Sequence, residues 1–268
     1  MLTGKYDLAR IAREQGVRPG KVRMSPIEER RGSVLSYRRD LVTYLRELAK
    51  ITRLEVLPRL EMDRRMTRDS AAEDWFGSLF TQRTRLEGGL KRAAERRFEE
   101  EGARHSRTFH EAAKSALGID IAALIDREDL APLLREAAQR NAALITSLGD
   151  DAINRVKQQV YSASSNGSSM AGLRKALVKQ FEITKRRADL IASDQMAKLN
   201  SDMTQFRQEQ AGITKYIWRT SQDERVRSKH RALDGKEYAW GKKTDAEEGL
   251  APGKPVRCRC IAIPVIEV

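Results

Sequence analysis

The sequence predicts an α+β protein, with a predominantly helical N-terminal body and a small C-terminal unit that contains strands. Apolar residues recur at three- and four-residue steps before Gly212, and a β-prone, turn-rich segment follows it. The chain is 40% hydrophobic and 33% charged, which is too apolar for wholesale disorder. We therefore expect four regions: a basic N-terminal arm (1–33), a helical body (34–161), helices leading into the C-terminal unit (170–212), and that α+β unit itself (213–268).

Charge and composition indicate which kinds of binding partner and which cellular compartment to expect. Lys and Arg number 51 against 38 Asp and Glu, so the formal net charge is +13 and attraction to polyanions is predicted. No run approaches the ~18 apolar residues of a membrane helix, and residues 1–16 lack an apolar signal core. We expect neither a membrane span nor secretion, but a protein that stays in the cytoplasm or enters a particle assembled there.

The first 33 residues form the basic arm of this prediction. They hold eight Lys or Arg residues against four acidic residues, and several Gly and Pro residues interrupt them. A terminus of this composition is typically loosely packed. The alternative is an arm that docks on a partner or binds nucleic acid.

Two apolar stripes predict the helices of the body. The first follows Val34 and comprises Leu41, Leu45, Leu48 and Ile51. Pro58 should end or kink this helix. The second stripe comprises Trp75, Leu79, Leu86, Leu90 and Phe98, and is interrupted by Gly88 and Gly89.

Further helices should lead into the C-terminal unit. Helices are predicted over 126–145 and 150–161, and the Ser-rich stretch 162–169 predicts a loop. A short helix is then marked by Leu173, Leu177 and Phe181. Thr184 is expected to cap a long helix that Gly212 ends.

The C-terminal unit combines strand signals with chemically versatile side chains. Residues 216–218 and 256–263 are β-prone, and Asp234-Gly235 is a strong turn signal. Polar and ligand-capable groups crowd the same span: Asp223, Arg225, Arg227, His230, Asp234, Cys258 and Cys260. We expect the functional or structural motif of the chain here.

A metal site is one interpretation of the two cysteines. They are one residue apart, so they cannot build a disulfide framework. On a strand, this spacing puts Cys258 and Cys260 on one face, where they could share zinc with His230. A fourth ligand would be Asp223, Asp234 or water. The alternative is that both thiols are small buried groups, so zinc is a candidate cofactor and no cofactor is established.

The acidic and basic residues of the unit also have two interpretations. Asp223, Arg225, His230 and Asp234 could form a hydrogen-bonded network that holds a loop-rich unit together. Alternatively, His230 could act as general base or metal ligand in metal-assisted hydrolysis of a phosphodiester. The sequence contains no P-loop, G-x-S-x-G or H-E-x-x-H signature, which excludes several familiar enzyme classes.

The cleanest cluster of positive charge is Lys185, Arg186 and Arg187, which we regard as candidate DNA contacts. The alternative is a solvated helix face. Only 6% of the residues are aromatic, which disfavours stacking platforms for single strands.

Taken in order, these residues resemble a known phage family. The pattern is W-x-T-x-x-D-x-R-V-R-x-x-H-x-x-L-D-G from Trp218 to Gly235, then Pro252-Gly253, and finally C-R-C-x-x-x-P from Cys258. It is similar to the C-terminal domain of phage Mu protein F-like minor head proteins, also called head morphogenesis proteins. The resemblance covers about residues 140–268.

The resemblance implies a component of the tailed-phage head without established catalysis. It implies contacts with portal and capsid or scaffold proteins, nonspecific contact with double-stranded DNA, and a place inside the head near the portal after assembly in the host cytoplasm. Relatives carry a Cys/Cys/His/Cys set that looks like a zinc site, with Cys where His230 stands. Here Arg227 and Lys254 lie where the further ligand would be expected, which weakens the metal prediction.

We therefore expect a structural and interaction protein of the virion rather than an enzyme, with no membrane partner. The rival from another class is a metal-dependent nuclease or hydrolase centred on the C-terminal Asp/His/Cys cluster. A third hypothesis is a nonspecific DNA binder without a role in the capsid.

Overall fold

The computed structural model of the protein describes residues 6–66 and 76–268, so Trp75 of the second predicted stripe lies outside the described residues. These residues form two compact units. The sheet unit combines 6–33, 97–137 and 193–268, and the helical unit combines 34–66, 76–96 and 138–192. Long helices and a small antiparallel sheet confirm the predicted α+β class.

The helices in chain order are α1 (Leu8–Glu14), α2 (Arg31–Ile51), α3 (Leu57–Met66), α4 (Gly77–Leu117), α5 (Ala122–Ile125), α6 (Ala131–Ser165), α7 (Met170–Gln210) and α8 (Ser228–Arg231). A π-helical turn (Thr52–Val56) joins α2 to α3, and a short 3₁₀ turn spans Glu247–Gly249. The strands are β1 (Lys21–Arg23), β2 (Lys215–Arg219), β3 (Glu237–Ala239) and β4 (Ile261–Glu267). Among the described helices, none has the length and apolar character needed to cross a membrane.

Gly149 lies inside a helix where the sequence predicts a break. The helices predicted over 126–145 and 150–161 are not separate, because both lie in α6, which begins at Ala131 and continues to Ser165. The Tyr44 hydroxyl and the Glu87 carboxylate lie where a Cβ of residue 149 would stand. The glycine therefore permits a close approach of side chains and does not mark a turn.

The predicted start of a helix at Thr184 is also wrong. The short helix marked by Leu173 and the long helix that follows are one element, α7. The buried Thr184 hydroxyl donates to the Gln180 carbonyl at 3.0 Å instead of capping a helix. The loop predicted over 162–169 is shorter, since only the residues between α6 and α7 are non-helical.

Pro58 and Gly212 differ in their effects. Pro58 is the second residue of α3 and does not end that helix, which continues to Met66. The π turn lies directly before α3. The wider turn accommodates a residue that cannot donate a backbone hydrogen bond. Gly88 and Gly89 likewise lie within the continuous α4. Gly212 has a left-handed φ of +74° and ends α7 as predicted.

The sheet of the sheet unit has the order β1-β4-β2-β3, and every neighbouring pair is antiparallel. The strand predicted over 256–263 is wrong at its start, because β4 begins at Ile261. Arg257 has a left-handed φ of +58°, which an extended strand cannot contain. The N–H of Cys258 instead closes a turn on the Pro255 carbonyl at 2.9 Å.

Residues 6–33 are folded, which corrects the expectation of a loosely packed arm. Leu8 and Ala12, one turn apart on α1, are fully buried in the apolar core of the sheet unit. β1 adds a strand to the sheet, with Val22 opposite Ile266. The i, i+4 apolar pair and three residues of strand pairing are enough to anchor this basic segment.

Glu29 is a partly buried carboxyl near Glu101, both in the sheet unit. Burial, and then the charge of Glu101, raise the pKa of Glu29 from 4.5 to about 7. The folded protein therefore binds this proton more tightly than the unfolded chain, and stability is lost as pH rises through about 4.5 to 7. Glu29→Gln should add roughly 2 kcal/mol to the free energy of unfolding at pH 8, measured with urea.

The same substitution should change little near pH 4, where Glu29 is protonated in both states. The neighbouring exposed Glu28 provides the control, because Glu28→Gln should shift stability by less than about 0.5 kcal/mol at either pH. Equal effects of Glu29→Gln at both pH values would contradict the explanation by a buried charge.

Candidate functional site

Three side chains with metal-binding atoms meet in the sheet unit. His230 lies on α8, and Cys258 and Cys260 lie just before β4. Their exposed fractions are 2%, 3% and 5%. Each Sγ atom lies 3.5 Å from Nδ1 of His230, and the three ligand atoms lie within 4.8 Å of one another. The structure thus brings together the three residues that the sequence singles out as a metal set.

These separations suit a tetrahedral ion. With Zn–S bonds of about 2.3 Å and Zn–N bonds of about 2.05 Å, two ligands of one tetrahedron stand about 3.5 Å apart. The two sulfur–nitrogen distances agree with that value. The donor set therefore fits zinc with three protein ligands, and a thiolate-rich set favours zinc over magnesium or calcium.

Glu247 orients the imidazole of His230. Its carboxylate lies 2.5 Å from Nε2 of His230, and Arg227 donates to the same carboxylate at 3.3 Å. When Nε2 donates its proton to Glu247, Nδ1 presents its lone pair to the two sulfur atoms. The hydrogen bond with His230 lowers the pKa of Glu247. A carboxylate behind a histidine is the usual support for a metal-ligating imidazole.

The surroundings of Cys258 favour its thiolate. The backbone N–H groups of Gly253 and Cys260 lie 3.4 and 3.5 Å from Sγ of Cys258, as donors. The side-chain hydrogen bond with Cys260, together with these donors, lowers the pKa of Cys258. The same side-chain bond and burial raise the pKa of Cys260. One sulfur therefore ionises readily while the other keeps its proton, which a bound cation would release.

The Pro252-Gly253 pair of the motif has a packing role beside the thiols. Gly253 has φ +85°, and a Cβ there would lie 2.9 Å from Cβ of Ser201. The Ser201 hydroxyl donates to the Pro252 carbonyl at 2.7 Å. Only glycine brings its N–H this close to Cys258 without a clash with α7.

The two candidate acidic ligands point to other partners. Asp223 receives two hydrogen bonds from Arg259, at 2.6 and 2.7 Å. Asp234 accepts from the backbone N–H and the hydroxyl of Thr220, at 2.7 and 3.1 Å. Across 6–66 and 76–268, the clustered ligand atoms are those of the histidine and the two cysteines, and neither Asp joins them. Water is then the fourth ligand that remains from the sequence prediction.

The other motif residues form the frame of the site. Trp218 is fully buried in β2, and its ring meets the His230 ring edge-on at 5.4 Å. Gly235, with φ +78°, donates its N–H to the Trp218 carbonyl at 2.8 Å and so closes the turn toward β3. Arg227 also donates to the Val256 carbonyl, and the N–H of Arg225 donates to Asp223. These contacts are internal to the sheet unit.

Sequence reasoning predicted no contact for two acidic residues of this neighbourhood. Glu247 lies in an acidic loop without strand or helix periodicity, so no pattern connects it with His230. Asp194 accepts the N–H of Arg257 at 3.2 Å and pairs with Lys198 at 2.7 Å. Its position in the helix that precedes the motif was the only signal for it.

The candidate DNA contacts do not form one free patch in the helical unit. Lys185 lies 3.5 Å from Glu182, and Arg187 lies 3.5 Å from Asp151. Arg187 also donates to Ser147. Arg186 is exposed.

Comparison with known proteins bears on the motif region. The family model described as Phage Mu protein F like protein matches residues 154–263. A Haemophilus influenzae (strain Rd) protein, described as uncharacterized, is 35% identical over 157 residues, which are 58% of this chain and 34% of that relative. This chain thus spans about a third of the relative's length. No solved structure matches it. The resemblance predicted from the motif is confirmed, because residues 154–263 match the family model of Phage Mu protein F like proteins.

Proposed function

We propose that the protein is a minor head protein of a tailed phage that acts in head morphogenesis and in DNA packaging or ejection. The family match over residues 154–263 is the observation that carries this proposal. A phage-head family supports association with the virion. We place the protein inside the head near the portal, and in the host cytoplasm during assembly, with portal and capsid or scaffold proteins as partners.

A structural role, rather than catalysis, suits the geometry of the motif. A metal-dependent nuclease centred on this cluster would need its Asp carboxylates free beside the metal, where they could face a phosphodiester. Here Asp223 faces Arg259, Asp234 faces Thr220, and the histidine and both cysteines are buried. These contacts support a network that holds loops together, as the first interpretation of the sequence proposed.

We also propose that His230, Cys258 and Cys260 hold one zinc ion, with water as the fourth ligand. When bound, the ion would join α8 to the loop before β4 and so stabilise a unit whose strands are short. The support is the agreement of the ligand separations with a tetrahedron and the carboxylate of Glu247 behind the histidine.

Contact with packaged DNA is a further part of the proposal, supported by the net charge of +13. It would be nonspecific and salt-dependent, because such contacts go to the phosphate backbone, which is the same for every DNA sequence. The cluster at Lys185, Arg186 and Arg187 adds little to it, because two of the three are paired with acidic residues.

The test is co-sedimentation of the full chain with portal assemblies of the same phage, at about 0.1 M and about 1 M salt. A specific docking surface should retain the protein at both salt concentrations, whereas attachment by charge alone should be lost at the higher one. Binding of the chain to DNA under the same conditions is the control. A protein that stays in the supernatant at both concentrations while it binds DNA at the lower one would contradict the portal proposal.

A further inference from the structure

The helical unit contains an open apolar groove with a basic rim, here called the α2–α7 groove. It encloses about 330 Å³ between α2, the π turn, the start of α3, and α7. Its apolar lining comprises Ala49, Leu57, Leu177, Val178 and Phe181. Its basic lining comprises Arg46, Lys50, Arg53 and Arg174. Val178 is 67% exposed, which is unusual for a valine and leaves apolar surface in contact with water.

The charge around this groove is one-sided. Four of the residues that line it are basic and none is acidic, whereas the chain as a whole has 38 acidic residues for 51 basic ones. Lys50 and Arg174 each lie within 4 Å of a glutamate on the flank. In the part of the chain that the structure describes, no ion pair is found for Arg46 or Arg53. The rim therefore offers at least two positive charges to an incoming acidic group.

The π turn contributes to the shape of the groove. Thr52, its first residue, lines the groove, and Leu57 follows its last residue. A π turn contains an extra residue, so the side chains after it are rotated away from the regular helical rows. Such turns are frequent at functional sites.

We propose that the α2–α7 groove binds an amphipathic helix of a partner protein, with an apolar stripe flanked by Asp and Glu. A groove between two helices accepts such a helix through anchors at i, i+3, i+4 and i+7. The apolar lining receives the stripe, and the basic rim pairs with the acidic flanks. DNA fits less well, because its phosphates would leave the apolar lining uncovered. The inference goes beyond the proposed function, since it holds whether or not the partner is the portal.

The experiment uses the full chain and a fluorescent helical peptide of about five turns, with Leu at i, i+3, i+4 and i+7 and Glu on both flanks. Binding is followed by fluorescence anisotropy. A second peptide with Gln in place of every Glu should bind about tenfold more weakly, because it cannot pair with the rim. Val178→Asp should weaken binding of the acidic peptide by at least about tenfold.

Leu35→Asp is the matched control. Leu35 is another exposed apolar residue on a helix of this unit, 46% exposed, and it does not line the groove. It should leave the affinity unchanged, and both exposed sites should tolerate Asp without loss of the fold.

Four results would overturn the proposal. One is the lack of saturable binding up to about 1 mM acidic peptide. A second is equal binding of the acidic and neutral peptides. The third is displacement of the acidic peptide by a short DNA duplex, which would make the groove a nucleic-acid surface. The fourth is a dimer of the chain that Val178→Asp converts to a monomer, which would make it an interface between copies.

Discussion

Zinc at a thousandfold excess over its dissociation constant should raise the free energy of unfolding by about 4 kcal/mol. The folded chain holds Nδ1 of His230 and the sulfur atoms of Cys258 and Cys260 at tetrahedral separations. Unfolding separates these ligands, since His230 is 28 residues from Cys258. A bound ion would therefore favour the folded state, and its binding free energy would add to stability. Urea unfolding of chelator-treated protein, with and without added zinc, measures this increment.

Two variants test the assignment of the ligands. Cys258→Ser keeps the size of the side chain but removes a soft ligand, so the increment should disappear. Glu247→Gln keeps a hydrogen-bond partner for His230 but loses the charge, and should lower zinc affinity by roughly 10- to 100-fold. The metal content of dialysed protein provides an independent measurement. A zinc increment of the same size in Cys258→Ser would show that zinc binds elsewhere.

Gly149→Ala should lower the free energy of unfolding by about 2 to 4 kcal/mol. The new methyl group would occupy the place of the Tyr44 hydroxyl and the Glu87 carboxylate, which are hydrogen-bonded at 2.9 Å. Both residues are buried, and Glu87 also pairs with Arg83. The substitution therefore separates a buried hydroxyl from a buried charge. Urea unfolding of the variant and the parent chain measures the loss.

Gly89→Ala is the matched control for this prediction. It makes the same substitution inside α4, where no heavy atom lies within 4 Å of the new Cβ. A helix gains about 0.4 to 1 kcal/mol from such a change, because alanine loses less conformational entropy on folding. The two variants should therefore shift stability in opposite directions. A similar shift from both would mean that helix propensity, and not the close approach at Gly149, determines the effect.

Local signals predicted those parts of the fold that depend on neighbouring residues. Gly212 ends α7 because left-handed backbone favours glycine, and the Asp234-Gly235 turn follows from the same preference. The helix breaks expected near Gly149 and Thr184 were wrong for a common reason. The helix continues through both residues, and each makes a contact that its residue type does not predict. Gly149 allows the side chains of Tyr44 and Glu87 to approach, and the Thr184 hydroxyl donates to the Gln180 carbonyl within the helix.

The sequence was sufficient to predict which residues form the candidate site, but not how they are arranged in space. His230, Cys258 and Cys260 were selected by their chemistry, although the strand invoked to align the two cysteines is a turn. Glu247 could not be selected, because its partner is 17 residues away and no periodicity connects the two. The burial of Leu8 and the strand pairing of Val22 were equally hidden, since they depend on contacts with residues far away in the sequence.

The pairing of β1 with β4 has a consequence for the order of folding. Val22 is synthesised before the other strands of the sheet, yet its partner Ile266 lies in β4, which is synthesised last of the four strands. β2 also depends on β4, which lies between β1 and β2. The sheet therefore cannot close until β4 has been synthesised, and contacts of such large sequence separation form slowly. Until then, the face of α1 that becomes buried is accessible to chaperones and proteases. Deletion of residues within 261–267 should therefore lower the amount of protein that accumulates by more than the small size of the deleted segment suggests.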